Sequence, residues 1–449
     1  MPTKLQYLWH QLRSSYWFVP ALMCLGVMVL AHATVRLDQR YQEQLVQHLG
    51  WLYNGGAQGA RAVLSTIAGS MITVAGVVFS ITIVALQLAS SQFGPRVLSR
   101  FMSDTANRVV LGTFVSTFLY CLLVLRTVRV NDPGPLMVPH LSVTIGLLLA
   151  LAGLGVLIFF IHHTAISIQA PMLVASLAEE VHAGIDHLFL SSVGEAAEKV
   201  EMHSLPPDFH RGARSVHSPH HGYVDAIDLS GLMETAVEHD LILRLECRPG
   251  DFIIRGAPLL MAWPGTRLSD ELATRMADAF VLGAYRTSMQ DVQFSLNHLV
   301  EMAVRALSTA INDPFTAMNC IDQIASALVH LAHRPVPNPH RVDAEGRLRL
   351  VTSRTLTYAE FTGLAFHQIR QNAGGHAVVY LRLLEAIAGV LVCVRGEEHA
   401  APLLRHAAAI RDDALAALTA PGDRAAVEER YARVLCAHDS SPCAPPAES

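Results

Sequence analysis

Thr66, Ser70, Thr73, Val77, Ser80, Val84, Gln87 and Ser91 follow one another at alternating steps of four and three residues within one apolar run. An unbroken repeat of about 3.5 residues keeps all of them on one stripe of a gently supercoiled helix. Six of the eight are polar and none is charged. Neutral hydroxyls and an amide are poor acids and bases. In an apolar helix they can bond to backbone carbonyls, bond across a helix seam, or offer polar atoms to water and ions. Ala62, Gly69 and Gly76 form a second stripe beside the first, where another helix can approach closely. Two readings follow. In one the stripe is a packing seam, each bond contributing little more than about 1 kcal/mol. In the other, copies of the helix surround an axis and present rings of Thr, Ser and Gln to water.

Such a stripe requires a long apolar helix, and the chain supplies four candidates. Hydrophobic residues make up 51% of the 449 and charged residues only 16%, a balance that leans toward a membrane protein. No Asp, Glu, Lys or Arg occurs between Arg13 and Arg36, Arg61 and Arg96, Arg108 and Arg126, or Asp132 and Glu179. Each gap holds an apolar run near or above the roughly 20 residues that cross a bilayer, which places membrane helices at about 15–35, 63–92, 108–126 and 139–164. Trp9, Tyr16 and Trp17 flank the first run, and Trp51 and Tyr53 precede the second, as interfacial aromatics do. The first run is long and further spans follow, so it does not read as a cleavable signal. Lys4, Arg13, Arg96, Arg100 and Arg108 on one side balance Arg36, Arg40, Arg61, Arg126 and Arg129 on the other, and the positive-inside rule gives a tie. A large C-terminal region with scattered cysteines favours the cytoplasmic side for that region.

The stripe ends at Ser90-Ser91-Gln92-Phe93-Gly94-Pro95-Arg96, where proline forces a kink or a helix end. Arg96 and Arg100, set among Val97, Leu98 and Phe101, read as interfacial anchors or, if the helices enclose a pore, as a ring at its mouth. In the third run Thr113, Ser116, Thr117 and Tyr120 form a smaller polar face suited to a helix contact. His162 and His163 end the fourth run. Adjacent residues point about 100° apart on a helix, so the pair does not suit one metal and reads as anchoring.

Beyond the membrane region (1–170), charges return. Residues 171–221 read as a connecting amphipathic helix, with Leu173, Leu177, Val181 and Ile185 at helical spacing, followed by a polar loop. The loop's histidines (His203, His210, His217, His220, His221) match no metal-site spacing. Residues 222–264 read as a small β module. Leu241, Leu243, Leu245 and Cys247 alternate with polar or outward positions, Arg248-Pro249-Gly250-Asp251 makes a turn, and short strands surround Phe252 and Leu259. The order resembles the barrel-sandwich modules of lipoyl-type and membrane-fusion proteins, but the segment contains no lysine to carry a prosthetic group. Residues 265–438 read as helices, two of them divided by Gly374-Gly375, and 439–449 as a disordered Pro-rich tail. The fold class expected is thus an α-helical membrane domain followed by a soluble α+β region.

Asn312-Asp313-Pro314 reads as a helix break and cap. As a ligand or subunit contact, its candidate partners are Arg286, Gln290, Asp291 and Asn297. The phrase from Arg305 to Ala317, together with Val78-Phe79-Ser80-Ile81 through Phe93, resembles the bacterial predicted membrane protein family called domain of unknown function 2254. The resemblance covers nearly the whole chain; it implies the architecture and a bacterial inner membrane, and carries no activity. No P-loop, GxGxxG, GxSxG or HExxH occurs, so no enzyme, cofactor or metal site is expected. A net charge of −5 without a basic run argues against nucleic acid. The seven cysteines are unpaired in any CxxC spacing. The function expected is a homo-oligomeric ion-conducting channel, with lipid, further copies of the chain and inorganic ions as its partners. The alternative is a non-conducting scaffold or sensor, in which the third run's polar face covers the stripe.

Overall fold

In the computed structural model, residues 15, 17–48, 53, 55–94, 104–128, 138–190, 195–196, 205–334, 338–352, 357–394 and 396–439 are described. The chain divides between Gln169 and Ala170 into two compact units.

The N-terminal unit contains four helices long and apolar enough to cross a membrane: α1 (Phe18–His48), α2 (Ala57–Phe93), α3 (Thr105–Leu125) and α4 (His140–Ser167). Each runs past the apolar stretch that marks it, because helical hydrogen bonding continues into polar sequence. Thus α1 extends through Arg36 and Asp38, with a kink at Tyr41 (φ −131°, ψ 22°). The seam of α2 is built from small side chains; Ala60, Ala68, Ala75, Ala85 and Ala89 are buried alongside Leu64 and Val78. Small residues allow close helix approach, and glycines extend the same device. A Cβ at Gly146 would lie 3.2 Å from Leu64, and one at Gly153 would lie 3.3 Å from Met71.

The C-terminal unit begins with α5 (Ala170–Leu190), whose Leu173, Leu177, Val181 and Ile185 are buried. Its strands are β1 (Glu195–Ala196), β2 (Arg214–His217), β3 (Gly222–Ile227), β4 (Ile242–Leu245), β5 (Phe252–Ile253), β6 (Pro258–Trp263), β7 (Phe280–Gly283), β8 (His340–Val342) and β9 (Leu348–Thr352), with α6 (Leu229–Glu238) and α7 (Asp270–Ala277) between them. They form a six-stranded sheet, β1-β8-β9-β4-β6-β2, and a three-stranded sheet, β5-β3-β7. The alternation at Leu241, Leu243, Leu245 and Cys247 marks a buried face, and the Pro249-Gly250 turn falls where expected, with Gly250 at φ +90°.

Two expectations need correction. Neither sheet closes, so the barrel-sandwich resemblance does not extend to a barrel. Nor are the strands confined to 222–264: β2 forms within the stretch read as a loop and pairs with β6, Arg214 opposite Ala262, and β7, β8 and β9 lie within the stretch 265–438 read as helices. The physical reason is that alternation reveals which face of a strand is buried but not which strand lies beside it. Here β4 takes β6 on one side and, in parallel, the distant β9 on the other.

The helices α8 (Val292–Ala306), α9 (Pro314–Ala332), α10 (Tyr358–Asn372), α11 (Ala377–Cys393), α12 (Glu397–Ala417) and α13 (Pro421–Asp439) complete the unit. Local capping sets several starts. Asp291 accepts from Phe294 N, Asp313 from Thr316 N, and Thr357 and Glu360 form a capping box.

Candidate functional site

All eight stripe residues of α2 (Thr66, Ser70, Thr73, Val77, Ser80, Val84, Gln87 and Ser91) are exposed in the isolated chain. At about 100° per residue they centre roughly 150° from the helix's buried face. Val77 and Val84, which interrupt the polar positions, are 52% and 56% exposed. Three hydroxyls bond back to their own helix: Thr66 Oγ1 to Ala62 O (2.8 Å), Thr73 Oγ1 to Gly69 O (2.9 Å) and Ser91 Oγ to Leu88 O (2.9 Å). A hydroxyl that donates in this way keeps lone pairs with which its oxygen can accept. The neighbouring Ala62, Gly69 and Gly76 are exposed as well, and a Cβ added at Gly69 or Gly76 would meet nothing within 4 Å. Arg96 and Arg100 lie outside the described residues.

The polar face of α3 is used elsewhere. Tyr120 is fully buried; its hydroxyl donates to Ser142 O (3.0 Å) and lies 3.1 Å from Thr34 Oγ1. Thr113 and Ser116 bond within their own helix, to Val109 O and Thr113 O. Thr117 is buried and its hydroxyl has no hydrogen-bond partner among the described residues. Within one chain Val110, Leu111 and Phe114 of α3 pack with Ala75 and Val78 of α2, and the stripe stays exposed.

Two charged residues of the N-terminal unit carry roles that sequence reasoning missed. Asp38, 1% exposed, accepts from Leu141 N (2.9 Å), Ser142 N (2.9 Å) and Ser142 Oγ (2.6 Å). It thereby supplies, from α1, the cap that α4 lacks in its own sequence, since Pro139 at its N-cap provides none. An acid a few residues beyond an apolar run was the available signal, but only the packing reveals its target. Asp104 caps α3 through Ala106 N (2.9 Å), and its other oxygen lies 2.6 Å from His163 Nε2. This ties the start of α3 to the end of α4. A carboxylate at a helix N-terminus satisfies orphan N–H groups and complements the helix dipole.

In the C-terminal unit Asn312 takes the left-handed conformation (φ +51°), Asp313 caps α9 and Pro314 occupies its first turn. Three of the four candidate partners of this turn are engaged elsewhere. Arg286 pairs with Asp291, and Gln290 accepts from Ile227 N (2.9 Å), both at the far end of α8. That helix is about 22 Å long at 1.5 Å per residue. Among the described residues no group of three His, Cys, Asp or Glu side chains stands where it could hold a metal.

Four apolar helices with a buried small-residue seam, and an outward polar stripe on the longest, define a polytopic membrane protein. Residues 13–389 match the family described as "Predicted membrane protein (DUF2254)", and the chain belongs to it. Relatives include an uncharacterized protein of Mycobacterium bovis and one of Mycobacterium tuberculosis. Each is 33% identical over 344 residues, covering 76% of this chain. The match spans 65% of those relatives' own length. No solved structure matches the chain.

Proposed function

We propose that the protein is a homo-oligomeric ion-conducting channel of the bacterial inner membrane. In this reading α2 lines the path, and the C-terminal unit, on the cytoplasmic face, assembles or gates it. The single observation that carries it is the exposure of all eight stripe positions on the face of α2 opposite its packed seam. A stripe facing lipid gains nothing from the Gln87 amide, which is costly to bury in hydrocarbon without a partner. A stripe facing a shared axis keeps that amide wet. The small residues at Ala62, Gly69 and Gly76 flank the stripe where a second α2 would approach. Rings of neutral hydroxyls and amides with no carboxylate favour a path of weak charge selectivity.

The scaffold or sensor alternative required the stripe to be covered within one chain, and the uncovered stripe weighs against it. Ion flux of the purified protein in liposomes, measured for Na⁺, K⁺ and Cl⁻, tests the proposal. Gln87→Leu should reduce flux several-fold at unchanged expression and oligomeric state. Equal flux in both proteins, or none in either from a folded oligomer, overturns it in favour of the scaffold.

A further inference from the structure

The 312–314 turn sets up a surface as well as a helix start. Immediately after it, Phe315 stands in the first turn of α9 and is 77% exposed. Beside it a cavity of about 460 Å³ opens among α9, α11 and α13, with an apolar wall of Phe315, Met318, Val378 and Leu381. Phe315 and Val378 are its exposed apolar side chains, and charged side chains border them.

Four charges that line the same cavity are linked one to the next. Asp322 accepts from Arg382 Nε and Nη2 (2.6 Å each), Arg382 Nη1 donates to Glu385 (3.0 Å), and Arg430 donates to the other Glu385 oxygen. Their side chains are 39%, 40%, 32% and 30% exposed, in the order Asp322, Arg382, Glu385, Arg430, so all remain within reach of a partner. The series alternates in sign and sums to zero, which favours neither an acidic nor a basic partner. It is complementary to itself. Turned end for end by a two-fold axis, it sets Asp322 against Arg430 of a second copy and Arg382 against Glu385 of that copy, with opposite signs at every position. The apolar part matches in the same way, a projecting ring beside a cavity.

We infer that this face is an isologous contact with a second copy of the chain, each Phe315 entering the other copy's cavity. The contact is independent of the α2 stripe. It makes pairs of chains the unit of assembly, so an oligomer that uses it throughout contains an even number of copies.

The test uses the full chain in membranes. Val378, one turn before Arg382 and 49% exposed, is replaced by Cys and treated with a short bismaleimide, beside the chain with its native cysteines alone. A crosslinked dimer specific to Val378→Cys is expected. In that background Asp322→Arg and Arg430→Glu should each reduce the dimer at least tenfold, because each sets like charges opposite one another. Co-expressed with different tags, the two should crosslink to each other at close to the native level. A misfolded chain would not be rescued by a second variant. Phe315→Ser should also abolish the dimer, and because that ring is exposed the fold loses no core. Absence of the Val378→Cys dimer, failure of the mixture to exceed the single variants, or an undiminished dimer with Phe315→Ser overturns the inference. The dimer is read separately from ion flux, so either proposal can fail alone.

Discussion

Asp38→Ala removes three hydrogen bonds from the start of α4 at one stroke. The carboxylate is 1% exposed and accepts from two backbone N–H groups at 2.9 Å and the Ser142 hydroxyl at 2.6 Å. A buried donor left without an acceptor costs about 1–3 kcal/mol. The hydroxyl can rotate to another acceptor, and Leu141 N is only partly buried, so both fall at the low end. Ser142 N is buried at a helix terminus and falls at the high end. The sum is about 3–5 kcal/mol. In a unit of this size each kcal/mol moves Tm by about 2–4 °C, so Asp38→Ala should lower it by about 6–20 °C. Asp38→Asn keeps one acceptor oxygen but loses the charge that complements the helix dipole, and should lose about half as much. Ser142→Ala removes a single donor and should cost about 1 kcal/mol. The assay is thermal unfolding of the purified protein in mild detergent, followed by loss of monodisperse material. An Asp38→Ala protein that melts with the native one refutes the capping account. An Asp38→Asn protein that folds as well as the native one yet no longer conducts would place the carboxylate in the ion path instead.

Two further predictions concern the C-terminal unit. Burial, aided by His367, Arg370 and Arg405, holds the His406 imidazole at about 4, against an ordinary value of 6.5. Between these pH values the unfolded chain takes up a proton that the folded chain refuses, so this contribution to stability is complete above 6.5 and declines as pH falls to 4. His406→Leu should flatten that decline, and an unchanged slope of melting temperature against pH counts against it. Gly250 has φ +90°, and a Cβ there would collide with Asp291 Oδ2, the oxygen that pairs with Arg286 while Oδ1 of the same carboxylate caps α8. Gly250→Ala should therefore cost at least about 1–3 kcal/mol, and an unshifted melting temperature would refute this.

Much of the architecture is legible without coordinates. Crossing a bilayer as a helix demands a long charge-free run, and four such runs mark α1 to α4 because a helix satisfies its backbone hydrogen bonds within the one segment. In the C-terminal unit the leucine alternation of 241–245 and the Pro249-Gly250 turn also follow from local chemistry. So does the Asp313-Pro314 start of α9, because caps and turns are settled within a few residues. Strand partners are another matter. Neither β2, inside a histidine-rich stretch, nor β8 and β9 carries a pattern that names β4 or β6 as a neighbour, since pairing uses backbone groups that every residue shares.

The stripe at Thr66 to Ser91 divides along the same line. Its period is a property of the sequence alone: 3.5-residue spacing puts those eight side chains together on any helix that residues 57–93 form. Whether they face a neighbour or the outside depends on which side of α2 the rest of the unit occupies. Tertiary packing decided that by seating α3 on the alanine face, where small side chains let the backbones come closest. Likewise, Asp38 is in sequence merely an acid beyond an apolar run. It becomes the cap of α4 only because folding brings the C-terminal half of α1 to a helix start about a hundred residues away, whose unpaired N–H groups demand an acceptor.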